Sequence, residues 1–317
     1  MDVNFWDSLK TPFLCLAPLA GITDSTTRQI CKKFGADVLY TEMISADALY
    51  YDSKKTLQML KISKKEQPVV VQLFGKNPDT FSRAAKICCD YGFNGIDINF
   101  GCPARKVVSH GGGVFLMKDF DKSRKIVENV ISSSSVPVSI KIRTGISDIL
   151  ALDFLKNLED LPISAIMVHG RTYEQKFSGE IDYNAVSEIR EYFSSKNTKI
   201  IANGGIFTPE DAKKILDKTG VSGLGIARGI YGKPYIFKQI KDYLKKEKYS
   251  EFDISDIKKL MKFHSKVLFK NKPENAKYEI RKYLLWYTKS IPNIKELRNE
   301  MTSVNSISDI NKLLKKF

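Results

Sequence analysis

The sequence predicts an α/β fold, a (β/α)8 barrel with a small C-terminal all-α domain. Short, β-branched apolar runs alternate with amphipathic helical stretches along the first three quarters of the chain, and there are eight such runs. No GxGxxG follows the first run, which argues against an open dinucleotide-binding sheet. Residues 246–317 contain no glycine and carry one Lys-rich helical pattern after another. Parallel strands that are each followed by a helix close into a barrel when eight of them are present.

The eight apolar runs are the predicted strands. Each is bounded by polar or turn-forming residues, and successive runs leave room for a helix between them. In chain order they are Phe13–Ala17, Asp37–Glu42, Pro68–Phe74, Gly95–Asn99, Val136–Ile142, Ser164–His169, Lys199–Ala202 and Gly223–Ala227.

Amphipathic helices are predicted between the strands, clearest at Asp79–Tyr91, Lys122–Ser132, Tyr183–Tyr192 and Pro209–Thr219. The last of these has a complete start signal. Thr208 is an N-cap residue, Pro209 fits the first helical position, and two acidic residues follow in the first turn.

The composition is that of a globular protein. The 317 residues are 43% apolar and 27% charged, and no apolar run reaches the roughly 18 residues of a membrane span. Five cysteines, without CxxC or CxxH spacing, argue against a disulfide scaffold or a zinc site and favour a reducing cytoplasm. No metal is predicted.

The net charge is unusually positive, with 51 Lys and Arg against 36 Asp and Glu. A polyanionic partner and a Lys-rich composition without such a partner both explain this excess. Residues 246–317 carry 17 basic and 9 acidic side chains, so they hold about half of the net charge. We therefore predict a barrel over residues 1–243 and a separate basic helical domain over residues 244–317.

Polar or conformationally special residues follow every predicted strand. The C-terminal ends of barrel strands share one rim, where such groups need a ligand or water to offset their desolvation. They are Pro18, Glu42, Gln72, Asn99 with Cys102, Lys141 with Arg143, His169 with Arg171, Asn203, and Arg228.

Two glycine-containing loops follow the last two strands, Asn203-Gly204-Gly205 and Ala227-Arg228-Gly229. Barrels commonly build a phosphate site from these two loops, with backbone N–H groups as donors. An isolated Gly-Gly is also typical of an ordinary turn. Its pairing with an arginine after the eighth strand favours the phosphate site.

Three rim residues allow several kinds of chemistry. Lys141 suits a Schiff base or a positive charge beside a cofactor, and His169 suits a general acid, a metal ligand or a hydrogen-bond donor. Cys102 lies on a loop between Gly101 and Pro103, where a thiol serves as nucleophile or proton donor. The other four cysteines fall on predicted strands or helices and are expected to be inert.

Nine segments together resemble the tRNA-dihydrouridine synthases of bacterial type, in the same order and spacing. They are Ala17–Asp24, Thr41–Met43, Val71–Gly75, Asn99–Pro103, Lys141–Arg143, His169–Thr172, Asn203–Ile206, Ile226–Gly229 and Gly232–Phe237. That family has an FMN-binding TIM barrel and a C-terminal helical domain that helps to hold tRNA.

The resemblance implies that the enzyme reduces the C5–C6 double bond of specific tRNA uridines, with NADPH or NADH as reductant. It assigns the C5 proton donor to Cys102 and uracil contacts to Asn99 and Arg143, with Arg171 as a further substrate-binding candidate. It assigns FMN binding to Pro18, Leu19, Ala20, Gln72, Lys141, His169, Asn203, Gly204, Gly205, Ala227 and Arg228. A cytoplasmic location, no membrane association and no obligate protein partner are expected.

Two other functions compete with this one. A flavin-dependent barrel oxidoreductase of a free small molecule, similar to dihydroorotate dehydrogenase, would share the phosphate loops but would not need a basic helical domain. A non-catalytic RNA-binding protein would not need Cys102, Lys141 and His169 together. The sequence also leads us to expect that a chain ending near Tyr243 keeps FMN and loses tRNA affinity.

Overall fold

The computed structural model describes residues 4–289, 291, 292 and 294–317. It confirms the predicted (β/α)8 barrel, whose eight strands lie within a few residues of the predicted ones. They are β1 Phe13–Leu16, β2 Val38–Ser45, β3 Val69–Phe74, β4 Gly95–Phe100, β5 Val138–Arg143, β6 Ala165–His169, β7 Lys199–Asn203 and β8 Gly223–Ile226.

The strands form a closed parallel sheet in which each strand pairs with its neighbours in chain order and β8 pairs with β1. Phe13 stands opposite Gly223, and Leu16 stands opposite Ile226. A Cβ atom at Gly223 would lie within van der Waals overlap of the Phe13 ring. Glycine is therefore needed where β8 closes the barrel against β1.

Helices cover the outer face of the barrel. The ten α-helices of this part are Ser25–Lys33, Ala46–Tyr50, Lys54–Met59, Pro78–Asp90, Arg105–Val108, Phe120–Ser133, Ala151–Lys156, Tyr183–Tyr192, Pro209–Thr219 and Ile236–Lys246. The predicted start signal of Pro209–Thr219 is present as a reciprocal capping box between Thr208 and Asp211.

Two local elements were not predicted. A short antiparallel hairpin pairs Gly145–Ile146 with Ile149–Leu150, and residues Gly113–Lys118 form a 3-10 helix. Both lie in loops at the C-terminal side of the barrel strands. Neither has a hydrophobic period long enough to predict an element from sequence.

The barrel has two apolar layers. Inside it, side chains from alternate strand positions pack with Trp6 and include Phe13, Tyr40, Val70 and Met167. A larger cluster fills the space between the outward faces of the strands and the surrounding helices. The interior is therefore a packed core, and a ligand of the barrel would bind at the ends of the strands.

Four further helices, Ile254–Asn271, Ala276–Tyr287, Lys295–Met301 and Ile307–Leu313, follow the barrel. They share an apolar cluster that also includes Ile30 and Tyr235 of the barrel part. The boundary at residue 243 stays a prediction. The helix Ile236–Lys246 crosses it, and its buried residues Ile236, Phe237 and Ile240 belong to the barrel cluster. Among the described residues, no helix has the length and apolarity that a membrane crossing requires.

Candidate active site

A cavity of about 510 Å³ opens at the C-terminal ends of the barrel strands. All fifteen residues that the sequence singled out as catalytic, cofactor-binding or substrate-binding line it, although their individual roles stay predictions. They are Pro18, Leu19, Ala20, Gln72, Asn99, Cys102, Lys141, Arg143, His169, Arg171, Asn203, Gly204, Gly205, Ala227 and Arg228.

The loops after β7 and β8 shape one end of the cavity. Gly204 and Gly205 have φ angles of +102° and +72°, and a Cβ atom on Gly204 would lie 2.5 Å from Cδ2 of His169. Among the described residues, no group accepts a hydrogen bond from the backbone N–H of Gly204, Gly205 or Arg228. These glycines are therefore required by the close approach of the backbone, which leaves N–H donors for an anion.

Four cationic side chains, Lys141, Arg143, Arg171 and Arg228, converge on the same cavity. Burial, and more weakly the nearby Arg143, lower the pKa of Lys141 to about 8. Burial and all four cations lower the pKa of His169 to about 2, so its imidazole is neutral at physiological pH. An anionic group in the cavity would be attracted to these four cations and would offset the repulsion between them.

Arg143 joins two loops around the cavity. Its Nε donates to the carbonyl of Gly101 at 2.9 Å, and its Nη1 donates to the carbonyls of Thr172 and Lys176 at 2.8 and 2.9 Å. The side chain is almost fully buried. Because Nε and Nη1 make these bonds, Nη2 is the nitrogen with which Arg143 can contact a ligand.

Cys102 is held in a fixed loop at the cavity wall. Its backbone N–H donates to Oδ1 of Asn99 at 2.8 Å, and its carbonyl accepts from the N–H of Val114 at 3.2 Å. Burial raises the pKa of the Cys102 thiol, with Lys141 and Arg143 opposing this effect more weakly. The thiol is therefore protonated at neutral pH, as a proton donor requires and an activated nucleophile does not.

The sequence does not predict two aromatic side chains at the mouth of the cavity. Phe177 and Phe207 are about half exposed. The guanidinium carbon of Arg228 lies 4.9 Å from the ring centroid of Phe177 and 5.9 Å from that of Phe207. Phe207 could have been noticed because it directly follows the Asn203–Ile206 motif. Phe177 lies in a loop without a motif, and nothing in the sequence indicates that its side chain faces a cavity.

Glu42 follows the rim pattern in sequence but does not line the cavity. Its Oε1 accepts a hydrogen bond from the backbone N–H of Gly21 at 2.6 Å. Glu42 instead borders a second, larger groove. Within the described ranges, no group of three or more His, Cys, Asp or Glu side chains could hold a metal ion.

The second groove, of about 1250 Å³, lies between the barrel and the C-terminal helices. Eight lysines, from both parts of the chain, outnumber its four acidic residues Asp24, Glu42, Glu274 and Glu279. The lysines on the barrel are Lys32, Lys33, Lys55, Lys61 and Lys65, and those on the helical part are Lys266, Lys270 and Lys272. We call this feature the lysine groove.

Known proteins similar to this chain point to one family. The family model described as "Dihydrouridine synthase (Dus)" matches residues 15–317. A "Probable tRNA-dihydrouridine synthase" of Rickettsia conorii is 35% identical over 297 residues, which are 92% of this chain and 89% of that protein. "tRNA-dihydrouridine synthase B" of Pseudomonas aeruginosa is 34% identical, with 90% and 86% covered.

Among solved structures, histamine dehydrogenase from Rhizobium sp. 4-9 matches with a TM-score of 0.56 at 13% identity, over 80% of this chain and 48% of that one. At this identity the match supports the barrel fold alone. The family model and the curated relatives confirm the resemblance that the nine sequence motifs predict. The chain belongs to the dihydrouridine synthase family.

Proposed function

We propose that this protein reduces the C5–C6 double bond of uridines in tRNA, with FMN as cofactor and NADPH or NADH as the reductant, in the cytoplasm. The observation that carries the proposal is one cavity that combines an anion-binding glycine cradle with a protonated, rigidly held thiol, Cys102. Membership of the dihydrouridine synthase family supports the same reaction.

The residues around the cavity suit a flavin mononucleotide. Its phosphate fits the free backbone N–H groups of Gly204, Gly205 and Arg228, and the Arg228 guanidinium would neutralise part of its charge. Lys141, at the end of β5, supplies positive charge for the polar edge of the ring system. Pro18, Leu19 and Ala20 would close the opposite side.

When bound, the flavin supplies a hydride for C6 of the uracil. The protein must then deliver a proton to C5 and hold the base in one orientation. The Cys102 thiol can deliver this proton because burial keeps it protonated. Asn99 and Arg143 border the same wall of the cavity and would orient the base.

A uridine in folded tRNA must be turned out of its surroundings to enter such a cavity, and the rest of the RNA must be held meanwhile. The lysine groove supports this role, since eight lysines from both parts of the chain line it. We therefore propose that residues 244–317 bind tRNA together with the barrel face that borders the groove.

The competing function, reduction of a free small molecule, would use the same flavin site. The lysine groove favours RNA because a small substrate would gain nothing from lysines contributed by two parts of the chain. The two functions differ in whether the reduced substrate is part of tRNA or a free small molecule.

The test is an assay with purified protein, FMN, NADPH and unmodified transfer RNA transcripts. We expect a mass gain of two hydrogens at defined uridines, and no such product with Cys102→Ala. Reduction of free uridine or of orotate, with no change in tRNA, would contradict the proposal and support the small-molecule function.

A further inference from the structure

A row of hydrogen-bonded polar side chains lies inside the barrel, directly beneath the cavity. Gln72 on β3, Asp97 on β4 and Ser139 on β5 stand opposite each other in the strand register. The Oγ of Ser139 donates to Oδ1 of Asp97, and Nε2 of Gln72 donates to Oδ2, both at 2.7 Å. All three side chains are buried, and Asp97 and Gln72 are completely inaccessible to solvent.

The row continues from Gln72 to the loop that carries Cys102. Nδ2 of Asn99 donates to Oε1 of Gln72 at 2.8 Å. Oδ1 of Asn99 accepts from the backbone N–H of Gly101 at 3.1 Å and from that of Cys102 at 2.8 Å. The carboxylate of Asp97 is thus linked to the backbone of Cys102 through two side-chain amides.

The direction of every bond in this row is determined by its two ends. Backbone N–H groups can only donate, so Asn99 must turn its oxygen toward them and its NH2 group toward Gln72. Gln72 must then accept with its oxygen, and its own NH2 group meets Asp97. The row is satisfied only if residue 97 offers an acceptor oxygen at that position.

We propose that Asp97 is a positioning residue, which fixes the amide orientations of Gln72 and Asn99 and thereby holds the loop of Cys102 in place. This inference rests on the proposed role of Cys102 as proton donor. Asp97 lies below the cavity and does not line it, so it acts through Gln72 and Asn99.

Loss of the acceptor oxygen of Asp97 should loosen the loop that carries Cys102. In Asp97→Ala the NH2 group of Gln72 has no partner, and a turned Gln72 amide would present a donor to the donor of Asn99. The N–H groups of Gly101 and Cys102 then lose a firmly oriented acceptor. The loop is expected to open more often and expose the partly buried thiol.

Asp97→Asn is the conservative variant. Its oxygen can still accept from Gln72, and its NH2 group can donate to Oγ of Ser139, whose proton can turn toward the carbonyl of Ile96 at 3.5 Å. Ser139→Ala is the matched control. It removes a bond from Asp97 on the side away from Gln72 and leaves the acceptor for Gln72 unchanged.

The experiment measures the alkylation rate of Cys102 in the flavin-free protein across a pH series, by peptide mass spectrometry with Cys89 as internal reference. We expect Asp97→Ala to raise the Cys102 rate about tenfold or more, as the cost of one buried donor left without a partner implies. Asp97→Asn and Ser139→Ala should stay within about twofold of the unaltered protein, and Cys89 should not change.

The shape of the pH series separates positioning from electrostatics. A loosened loop raises the rate at every pH, whereas a changed field moves the pKa of the thiol. Gln72→Met, which also leaves Asn99 without an acceptor, should raise the rate as Asp97→Ala does, and the double variant should add little to the larger single effect. If Asp97→Ala does not fold, Gln72→Met tests the same link between the polar row and the Cys102 loop.

Two results would overturn the inference: a folded Asp97→Ala or Gln72→Met protein with unaltered Cys102 reactivity, or equal effects of Asp97→Asn and Asp97→Ala. The assay contains no tRNA and no reductant. A failure of the proposed enzyme activity would therefore leave this result interpretable, and the reverse also holds.

Discussion

The protonation state of Cys102 decides whether this residue can act as the proton donor. Burial raises the thiol pKa above its ordinary value, so the proton remains on sulfur through neutral pH. A general acid works only in its protonated form. We expect the rate of uridine reduction by pre-reduced enzyme to be flat across neutral pH and to fall only as pH rises through this raised pKa.

The Cys102→Ala variant provides the matching measurement. It should still bind FMN and accept electrons from NADPH, while dihydrouridine formation falls about 10²–10⁴-fold, as is typical for one positioned general acid. Stopped-flow absorbance of the flavin separates the two half-reactions. Wild-type turnover in this variant would show that the proton comes from elsewhere, and loss of flavin reduction would indicate a structural role.

Arg228 is the residue on which phosphate binding should depend most directly. Hydrogen bonds to charged groups contribute about 1.5–3 kcal/mol, so Arg228→Ala should weaken FMN binding roughly 10–100-fold. Arg190→Ala is the control, since Arg190 is an exposed arginine on the outer helix Tyr183–Tyr192. Equal FMN affinity in both variants, measured by fluorescence titration, would remove Arg228 from the phosphate site.

The sequence predicts site residues best where a strand end and a motif coincide. All fifteen predicted residues line one cavity because parallel strands bring their C-terminal ends to one rim. The functions of Arg143 and Asp97 depend on hydrogen bonds to distant parts of the chain, which no local pattern encodes. The same is true of Phe177, whose loop reaches the cavity only through tertiary packing.

At the scale of the element, strands and long helices were predictable because their hydrophobic periods extend over several residues. The hairpin at residues 145–150 has two residues in each strand and offers no such period. The contact between the two parts of the chain was also unpredictable, since it joins residues more than two hundred positions apart.

The helix Ala276–Tyr287 contacts two loops that border the cavity. Nζ of Lys282 donates to the carbonyl of Gly21 at 2.7 Å, next to the predicted flavin loop. Trp286 stacks on Tyr231, which lines the cavity, with ring centroids 4.3 Å apart and planes at 10°. The C-terminal helices therefore support the proposed flavin site in addition to any contact with RNA.

This contact changes the expectation for a shortened chain. A protein ending near Tyr243 would lose Lys282 and Trp286, so we now expect it to retain FMN poorly. Lys282→Met alone should weaken FMN binding several-fold, whereas Lys277→Met on the same helix should not, because Nζ of Lys277 lies over the ring of Tyr278 and does not line the cavity. Tight FMN binding by the shortened, folded chain would show that the barrel holds the cofactor unaided.

At the scale of the whole molecule, the positive charge becomes informative once its location is known. A net charge of +15 is compatible with a general Lys-rich composition, and the sequence could not decide between this and a polyanionic partner. The structure collects eight lysines around one groove, from segments that are far apart in the chain. Summed positive potential in a groove attracts a polyanion far more than scattered charges do.

The lysine groove distinguishes two pairs of lysines on one helix. Lys266 and Lys270 line it, whereas Lys259 and Lys262 lie on the same helix, Ile254–Asn271, outside it. Each phosphate contact contributes about 0.9 to the slope of log affinity against log salt, by analogy with duplex DNA. Lys266→Glu with Lys270→Glu should therefore weaken tRNA binding strongly and make its salt dependence shallower by about 2.

The pair Lys259→Glu with Lys262→Glu changes the net charge of the same helix by the same amount and should weaken binding much less. Filter binding over a salt series measures both affinity and slope, and FMN content reports that each variant is folded. Equal losses in the two pairs would mean that tRNA responds to overall charge, and the groove would then have no special part in recognition. A larger loss in the groove pair, with a shallower slope, places phosphates of the RNA between the barrel and its C-terminal helices.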